Sequence, residues 1–588
     1  MNLSVIAQKE GCHEALHDRS AALSKPRDAA DMSPPLLPPF ALPPPVALLH
    51  RRRLLLAAAA GLAVGALPFA GAHAEAVRSF YVAPNGSDSA AGTSNAPWRT
   101  VNRAVRDLRP GDEVVVRPGT YTEQVYVQRG GDADRAGQRV IIRAETQGAA
   151  KLRAPSGAYS TIVVRANYVV IDGFDAVGGD GHAVDIESCH HIVVRNCTVH
   201  DSGGGGVAAA RAEFITIDNN VAYNNSATNQ WHTSGLSIYQ CRNISGDTTT
   251  TGYRCFVRNN ISYGNLQRWG NNHTDGNGII IDDYQSTQTE GFPNYTYPTL
   301  VENNLCHSNG GKGIHVYLTD NVTVRNNTCW RNNLDPNNPG TWRSELSNVN
   351  ARNNRWYNNI GMADPQVNPN NTALGNQSYG GVTNNGTTWN NNLTFNGTNG
   401  QASLHITSGN ATPRSSDGNK LGVNPRFVNA ARSGFDFRVQ SGSPAIDAGT
   451  AAFGLPAKDL AGRARAQGTV DIGAYEHGAP ASQPTAPEPS EPPVTEPPAT
   501  EPPVTEPPAT EPPPTQGSTP PRSGFSFAER ARRFESLFGR NPTFGANTPP
   551  PVMAPPAPTT PPSGGTPPLQ TPTFPSFGRR LTRWRSRF

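Results

Sequence analysis

Three aspartates stand out in the stretch NNHTDGNGIIIDDYQ, residues 271–285, which is otherwise rich in asparagine, glycine and isoleucine. Asp275, Asp282 and Asp283 supply the oxygen ligands that calcium prefers, so they are candidate ligands for one such ion. Lys312 is the only lysine between residues 152 and 419. A lysine, unlike an arginine, can lose its proton when it is desolvated. This combination suits removal of a proton next to a carboxylate, with Lys312 as the base and calcium neutralising the developing charge.

The elements that must position these residues are repeated. From residue 192 onward an apolar run followed by Asn-Asn recurs, with the first asparagines spaced by 23, 40, 44, 23 and 27 residues. A period near 23 with two lengthened intervals predicts a solenoid of short parallel strands, two coils of which carry inserted loops. Asparagine suits the turns because it tolerates the left-handed backbone region. The first asparagine of the series is Asn196, and we expect the following ones to stack in one row: Asn219, Asn259, Asn303, Asn326 and Asn353.

Three coils can be aligned on the glycine that begins each strand. Aliphatic residues alternate with polar ones, so the aliphatic set must face the core and the other set must face outward. The outward rows are Tyr239, Asp282 and Tyr317; Ser237, Ile280 and His315; and Ser234, Asn277 and Lys312. This register predicts that Asp275 and Lys312 share one groove, with His315 as the alternative base and Tyr239 and Tyr317 lining the floor.

The two long intervals add aromatic and cationic side chains beside these rows. Trp231, Arg268 and Trp269 are of the types that stack on and grip acidic sugars, and loops on a rigid scaffold are where function usually lies. They are therefore the remaining candidates for substrate binding.

The chain resembles the secreted right-handed parallel β-helix proteins, a superfamily dominated by polysaccharide lyases, hydrolases and epimerases. The resemblance covers roughly residues 78–477 and is carried by YVAPNGSDSAAGTSNAPWRTVNRAV, GDEVVVRPGTYTEQVYV, SPAIDAG and VDIGAYE. The first two motifs resemble an entry segment, and the last two resemble a closing segment. We expect an all-β, right-handed parallel β-helix in which residues 78–477 form one solenoid around a single core, with an N-terminal capping helix. The residues on one face of that helix are Trp98, Val101, Ala104, Val105 and Leu108.

The aspartates and the lysine resemble the site of the calcium-dependent family-nine pectate lyases, which use an aspartate cluster and a lysine base. That resemblance implies cleavage of an acidic polysaccharide by a calcium-assisted lyase. The family pattern is Asp-Asp-Gly-x-Asp, whereas this chain has TDGNG at residues 274–278, and it has Ser234 where another aspartate is expected. A hydrolase or epimerase on the same scaffold, or a non-catalytic surface or adhesion protein, stays open.

Composition divides the chain into segments. Three arginines at 51–53, an apolar run and the small-residue site AHA at 72–74 predict an export signal and a secreted or cell-surface protein, whether translation begins at Met1 or Met32. The Pro-rich repeat after His477 predicts a disordered stalk. The predicted segments are 1–74, N-terminal extension and export signal; 75–155, entry and cap; 156–400, β-helix coils; 401–477, closing segment; 478–522, Pro-rich linker; and 523–588, basic tail.

Bulk charge argues against a nucleic-acid partner. The formal net charge is +4, but residues 523–588 carry nine Arg and two Glu, so residues 1–522 sum to −3. We expect a monomer with no membrane span that acts on an acidic polysaccharide. An even set of six cysteines follows the export signal, and the pairs Cys306 with Cys329 and Cys241 with Cys255 are candidates for disulfides.

Overall fold

The computed structural model describes residues 78–133, 137–270, 273–288, 291–338, 342–431, 435–465 and 469–478. The expected export signal, the basic tail and, apart from Gly478, the Pro-rich linker lie outside these ranges. Within them, no helix is both long enough and apolar enough to cross a membrane.

Almost all regular secondary structure in the described chain consists of short strands, because runs of β-branched and aliphatic residues are interrupted every few positions by Asn, Gly or Asp. The first coils contain β1 (Ser79–Val82), α1 (Val101–Val105), β2 (Glu113–Val116), β3 (Gly119–Thr122), β4 (Val125–Val127), β5 (Val140–Ala144), β6 (Ala150–Arg153), β7 (Ile162–Val164), β8 (Val169–Asp172), β9 (Asp175–Val177), β10 (Val184–Glu187), β11 (His190–Arg195) and β12 (Thr198–His200).

The inserted loops occur in the middle of the solenoid. The middle coils contain β13 (Val207–Ala210), β14 (Glu213–Asp218), β15 (Val221–Tyr223), β16 (Leu236–Tyr239), β17 (Cys255–Arg258), β18 (Ile261–Tyr263), β19 (Ile279–Asp282), β20 (Thr299–Glu302), β21 (Leu305–His307), β22 (Ile314–Tyr317), β23 (Val322–Arg325) and β24 (Thr328–Trp330). The last part contains β25 (Ser344–Val349), β26 (Arg355–Tyr357), β27 (Ile360–Met362), β28 (Thr372–Gln377), β29 (Thr388–Asn390), β30 (Leu393–Phe395), β31 (Leu404–Ile406), the 3-10 turn η1 (Ser415–Asp417), β32 (Lys420–Leu421), β33 (Phe427–Asn429) and β34 (Asp436–Val439).

The strands assemble into three long sheets, with successive strands of a coil falling in different sheets. Sheet A has the order β1-β2-β5-β8-β11-β14-β17-β20-β23-β26-β29, sheet B has β4-β7-β10-β13-β16-β19-β22-β25-β28-β31, and sheet C has β3-β6-β9-β12-β15-β18-β21-β24-β27-β30-β32. Neighbouring coils pair in parallel, whereas β33 and β34 form a separate antiparallel pair. The predicted parallel β-helix is confirmed. Its strands extend from residue 79 to residue 421, beyond the predicted coil segment 156–400.

The predicted capping helix is α1. Val101 and Ala104 are buried against the end of the core, as is the preceding Trp98. Thr100 caps the helix, and the Glu123 carboxylate accepts hydrogen bonds from two backbone N–H groups of its first turn. A carboxylate at this position also complements the positive end of the helix dipole.

The interior contains one apolar cluster from Val82 to Trp389, but the expectation of a single core is wrong. A second cluster forms on the outer side of sheet C, where Leu305, Trp330 and Phe437 come together with apolar residues of the closing segment. The two predicted closing motifs contact each other there, with the backbone N–H of Ile472 donating to the Ala445 carbonyl. The closing segment therefore packs along the side of the solenoid.

The row of first asparagines follows one corner of the solenoid, in the left-handed conformation. Asn219 donates to Asn196 and Asn303 donates to Asn259 through their amides. The placement of Asn353 in this row is wrong. Arg325 pairs with Tyr357 in the register of β23 with β26, so the residue that follows Asn326 in the row is Asn358.

The asparagines one position after this row form another, more regular ladder. Each side-chain amide donates to the carbonyl oxygen of the next one, at 2.9–3.1 Å, and most also donate to a backbone carbonyl. These side chains are buried, so their polar groups must be bonded internally. The ladder is Asn220, Asn260, Asn304, Asn327, Asn359, Asn392 and Asn419.

Candidate functional site

The outer face of sheet B lies between the inserted loops. The connections before β16 and β19 enter sheet B from sheet C, and the connections after these strands leave it toward sheet A. Loops consequently flank both borders of the face. Nine of the ten residues predicted for the site lie on this face or in these connections, and the tenth, Lys312, lies in the turn before the next strand of sheet B, β22.

The predicted register of this face is confirmed. Tyr239 pairs with Asp282, which pairs with Tyr317, and the row Ser237, Ile280 and His315 follows from the same pairings. In the third row the Asn277 amide donates to the Ser234 hydroxyl and accepts from the Lys312 backbone N–H, at 2.9 and 2.8 Å.

Lys312 is held at the border between sheets C and B, in the turn before β22. Its side chain is only 2% exposed, and Nζ donates to the carbonyl oxygen of Thr274 at 2.8 Å. Burial lowers the pKa of the Lys312 amine to about 8; the Asp275 charge opposes this shift, and the Arg343 guanidinium adds to it. A neutral amine that donates one N–H to a carbonyl still has a lone pair, so this group can accept a proton near neutral pH.

Asp275 is the predicted aspartate that lies near Lys312. It is buried, and its Oδ1 accepts a hydrogen bond from the Asn277 amide at 2.9 Å. Gly276 has a φ of +77° and the Cβ of another residue there would lie 2.9 Å from the Gln267 backbone nitrogen, so only glycine suits this turn. The predicted proximity of an acid and an amine is thus present.

The structure does not bring Asp275, Asp282 and Asp283 into one cluster. Asp282 lies at the far end of β19 from Asn277, about 16 Å along an extended strand, and its charge contributes to the raised pKa of Tyr379, which is caused mainly by burial. Among the described residues there is no group of three or more His, Cys, Asp or Glu side chains able to hold a metal ion.

Asp283 has a different role from the predicted one. Its carboxylate accepts four hydrogen bonds: from the Gln240 amide, from the backbone N–H and hydroxyl of Thr287, and from the backbone N–H of Gln288. The carboxylate therefore organises the connection after β19. The residues present do not fit a single calcium ion bound by all three predicted aspartates.

The predicted floor of the groove is covered. Tyr239 and His315 are 3% exposed and Tyr317 is 4% exposed. His315 Nδ1 lies 3.0 Å from the Ser347 hydroxyl, and the Tyr317 hydroxyl lies 2.6 Å from that of Tyr379. The alternation pattern correctly predicted that these side chains leave the core, but it could not show that neighbouring side chains cover them. In this structure these three side chains pack against their neighbours and support the face.

The loop residues are the accessible part of the site. Trp231 is half-buried, whereas Arg268 and Trp269 are exposed, with 49% of the tryptophan surface accessible. These residues belong to the connections before β16 and β19, at the same border of sheet B as Lys312. The structure thus brings three predicted substrate-binding residues to the lysine side of the face.

Sequence reasoning missed the residues that stabilise the lysine border. His273 Nδ1 lies 2.6 Å from the Asp335 carboxylate, and both side chains are buried. Arg343 donates to the backbone carbonyls of Asp335 and Asn338 and to the side-chain carbonyl of Asn371. His273 was visible in the stretch that drew attention to the aspartates, but its partner lies 62 residues away in sequence, beyond the reach of local patterns.

The predicted cysteine neighbours are also present. Cys306 lies directly opposite Cys329 in the pairing of β21 with β24, and the sulfurs of Cys241 and Cys255 are 3.7 Å apart. All four are free thiols in this structure.

Comparison with known proteins agrees with the architecture. Residues 80–354 match the family described as Pel9A-like, right handed beta helix region, and together with the three sheets this match identifies a right-handed parallel β-helix. No curated protein matches the chain.

Several solved structures are similar at low identity. Pectate lyase Pel9A is 17% identical, with a TM-score of 0.37 over 68% of this chain and 96% of that chain. A rhamnogalacturonan lyase is 16% identical, with a TM-score of 0.35 over 60% and 92%. An alginate lyase from Paenibacillus sp. str. FPU-7 is 15% identical, with a TM-score of 0.31 over 55% and 93%.

Proposed function

We propose that this protein is a secreted lyase that cleaves an acidic, uronate-containing polysaccharide by β-elimination. The observation that carries the proposal is Lys312, a buried lysine at the edge of a loop-flanked sheet, whose pKa is lowered to about 8. An active-site amine with a lowered pKa is a functional-site signal, because an ordinary surface lysine stays protonated at neutral pH.

The proposed reaction begins when neutral Lys312 takes the proton next to the sugar carboxylate. The electrons of the broken C–H bond form a C=C bond, and the glycosidic C–O bond breaks with its electron pair leaving on the oxygen of the neighbouring sugar. That oxygen takes up a proton from water, and Lys312 returns its proton to the solvent. The products are a saturated chain end and an unsaturated uronate. Arg268 is the exposed cation at this border and is assigned to the carboxylate, while Trp269 and Trp231 provide stacking surfaces.

The substrate class follows from the same chemistry. Elimination requires an acidic hydrogen next to a carboxylate, so the sugar on one side of the broken bond must be a uronate. Such polymers lie outside cells or in cell walls, which suits the expected export signal. The protein is proposed to act as a monomer, because all proposed groups come from one chain.

The test is the ultraviolet absorbance of unsaturated product on a panel of uronate polymers. Lys312→Met, which keeps a long side chain, is expected to lower the rate about 10²- to 10⁴-fold. Lys420→Met is the matched control, because Lys420 is exposed at the last coil. Full activity of Lys312→Met would show that another group is the base, with His315 the next candidate.

Two further arms separate the alternatives. A chelator is expected to leave the rate unchanged, since the three aspartates do not form one site; loss of activity that calcium restores would return calcium to the mechanism. Cleavage without unsaturated product indicates a hydrolase, an inverted sugar without cleavage indicates an epimerase, and an unchanged polymer indicates a binding protein. Each of these three outcomes contradicts the lyase proposal.

A further inference from the structure

A cation and an aromatic ring lie together on the border of sheet B opposite Lys312. Arg242 follows the end of β16 by three residues, and Phe292 belongs to the connection between β19 and β20. The guanidinium carbon of Arg242 lies 3.3 Å from the centroid of the Phe292 ring. Arg242 is half-buried and 39% of the Phe292 surface is exposed, so the pair is open to solvent.

Two other arginines that follow strands of sheet B at this border, Arg165 and Arg211, have carboxylate partners. Glu187 forms ion pairs with both Arg165 and Arg211, and Arg165 also contacts the Asp185 carboxylate at 3.1 Å. Arg242 has no such partner within the part of the chain that the structure describes, and its buried Nε makes no hydrogen bond there. Arg242 is therefore the cation of this group that lacks an anion.

The closest acid does not neutralise Arg242. Asp283 uses both carboxylate oxygens to bind its own connection, and burial raises the pKa of Asp283. Burial and the nearby charge of Arg211 lower the pKa of Arg242 to about 10, against a smaller opposite effect of Tyr239 and Asp283. An added anion would relieve both the desolvation and the repulsion.

We propose that Arg242 and Phe292 form a subsite that binds the carboxylate of a uronate sugar. A planar guanidinium binds a carboxylate through two parallel N–H groups, and Phe292 holds the guanidinium plane while its exposed surface contacts the apolar side of the sugar ring. The ligand class rests on the proposed function, which supplies the acidic polysaccharide. The subsite adds a second residue, besides Arg268, that distinguishes an acidic sugar from a neutral one.

The position of the subsite predicts how affinity depends on ligand length. Lys312 lies in the row that begins the strands of sheet B, whereas Arg242 follows the row that ends them. Five extended residues separate these rows, so the two borders are about 16 Å apart along the strand direction. A single sugar cannot reach both borders. We expect affinity to rise with oligomer length until the ligand spans the face.

The experiment measures binding of galacturonate and mannuronate oligomers of increasing length by calorimetry. Lys312→Met serves as the background, so that turnover does not interfere. Addition of Arg242→Met is expected to weaken binding of the long oligomers about 10- to 100-fold. Carboxyl-reduced oligomers are expected to bind weakly to both proteins. Arg258→Met is the matched control, because Arg258 stacks on Phe256 but pairs with Asp218 on another sheet.

Unchanged affinity in Arg242→Met, equal binding of the carboxyl-reduced oligomers, or no binding of either acidic oligomer overturns the subsite. If Arg242→Met lowers the melting temperature, Arg242→Lys is used in its place. Lysine keeps the charge but lacks the two parallel N–H groups of the guanidinium, so this variant is expected to weaken binding less than Arg242→Met does. The proposed reaction is tested by a separate result. If Lys312→Met still cleaves the polymer, Lys312 is not the base, and the effect of Arg242 on affinity can still be measured.

Discussion

Lys312 and Thr274 are joined by a hydrogen bond from the lysine amine to the threonine carbonyl, 2.8 Å long. The two residues lie on neighbouring coils, so this bond fixes the amine above the connection that carries Trp269 and Asp275. It also leaves the amine without a carboxylate bonded to it among the described residues. A lysine in this setting is held in place without being kept fully charged, which is what a proton acceptor requires.

Changing Asp275 should move the pH dependence of cleavage. The reactive form of Lys312 is the neutral amine, so the rate should rise with pH through about 8, the pKa of this group. The charge of Asp275 raises that pKa, and Asp275→Asn should therefore shift the rising limb to lower pH. The measurement is kcat against pH for both proteins. A limb that stays in place or moves to higher pH would contradict the assigned electrostatics.

Glu345 should make the folded protein less stable as the pH rises. This buried carboxyl accepts hydrogen bonds from the backbone and the amide of Asn332, and burial raises the pKa of Glu345 to about 8. The unfolded chain loses the proton near pH 4.5, whereas the folded protein keeps it until about pH 8. The free energy of unfolding should fall across that window by about 5 kcal/mol.

The matched variant is Glu345→Gln, which keeps an amide carbonyl to accept from Asn332 and removes the titration. Its unfolding free energy, measured by denaturant titration at several pH values, should be nearly flat where that of the wild type declines. Parallel curves for the two proteins would show that other groups cause the decline.

The buried asparagine ladder should be intolerant of charge. Asn304 donates to the Val257 carbonyl and to Asn327, and it accepts from Asn260. Asn304→Asp removes both donated bonds and places a carboxylate in the interior, so it should cost about 3–5 kcal/mol of unfolding free energy. Asn219→Asp is the control, because Asn219 is an exposed member of the first row, and it should cost about 0.5 kcal/mol or less. Equal melting temperatures for the two variants would refute the distinction.

The oxidised protein should contain a disulfide between Cys241 and Cys255. Their sulfurs are 3.7 Å apart, and a small rotation of the side chains brings them within bonding distance. Cys306 and Cys329 are opposite each other one coil apart and form the second expected pair. Peptide mapping without reducing agent should recover both linkages and leave Cys189 and Cys197 free. A linkage of Cys306 to Cys189 would be inconsistent with the strand register.

The sequence predicted those features of the fold that repeat locally. The alternation of aliphatic and polar residues was enough to pair Tyr239 with Asp282 and Tyr317. It failed where a repeat contained two similar pairs of asparagines, because Asn353 and Asn358 satisfy the same local pattern and only the strand register selects Asn358. The second apolar cluster was missed for a related reason, since it joins segments far apart in the sequence.

The candidate site was less predictable than the fold. The sequence placed Lys312 and Asp275 together correctly, because both are fixed by the rows of sheet B. The sequence analysis assigned Asp283 to a metal site, because the residue type alone does not show whether an aspartate binds a metal ion or accepts hydrogen bonds from backbone N–H groups. The four hydrogen bonds that occupy this carboxylate depend on the conformation of the following connection, and side-chain type alone does not specify that conformation.

The asparagine ladder makes the scaffold independent of the length of its loops. Asn220 and Asn260 are 40 residues apart in sequence, and Asn304 and Asn327 are 23 apart. The hydrogen bonds between the side-chain amides of these two pairs nevertheless measure 3.1 and 2.9 Å. The spacing of the coils is thus set inside the solenoid, while the connections at the borders of sheet B can lengthen without altering it. A protein built in this way can acquire a new specificity by exchanging whole loops, with the cost in stability confined to the exchanged segment.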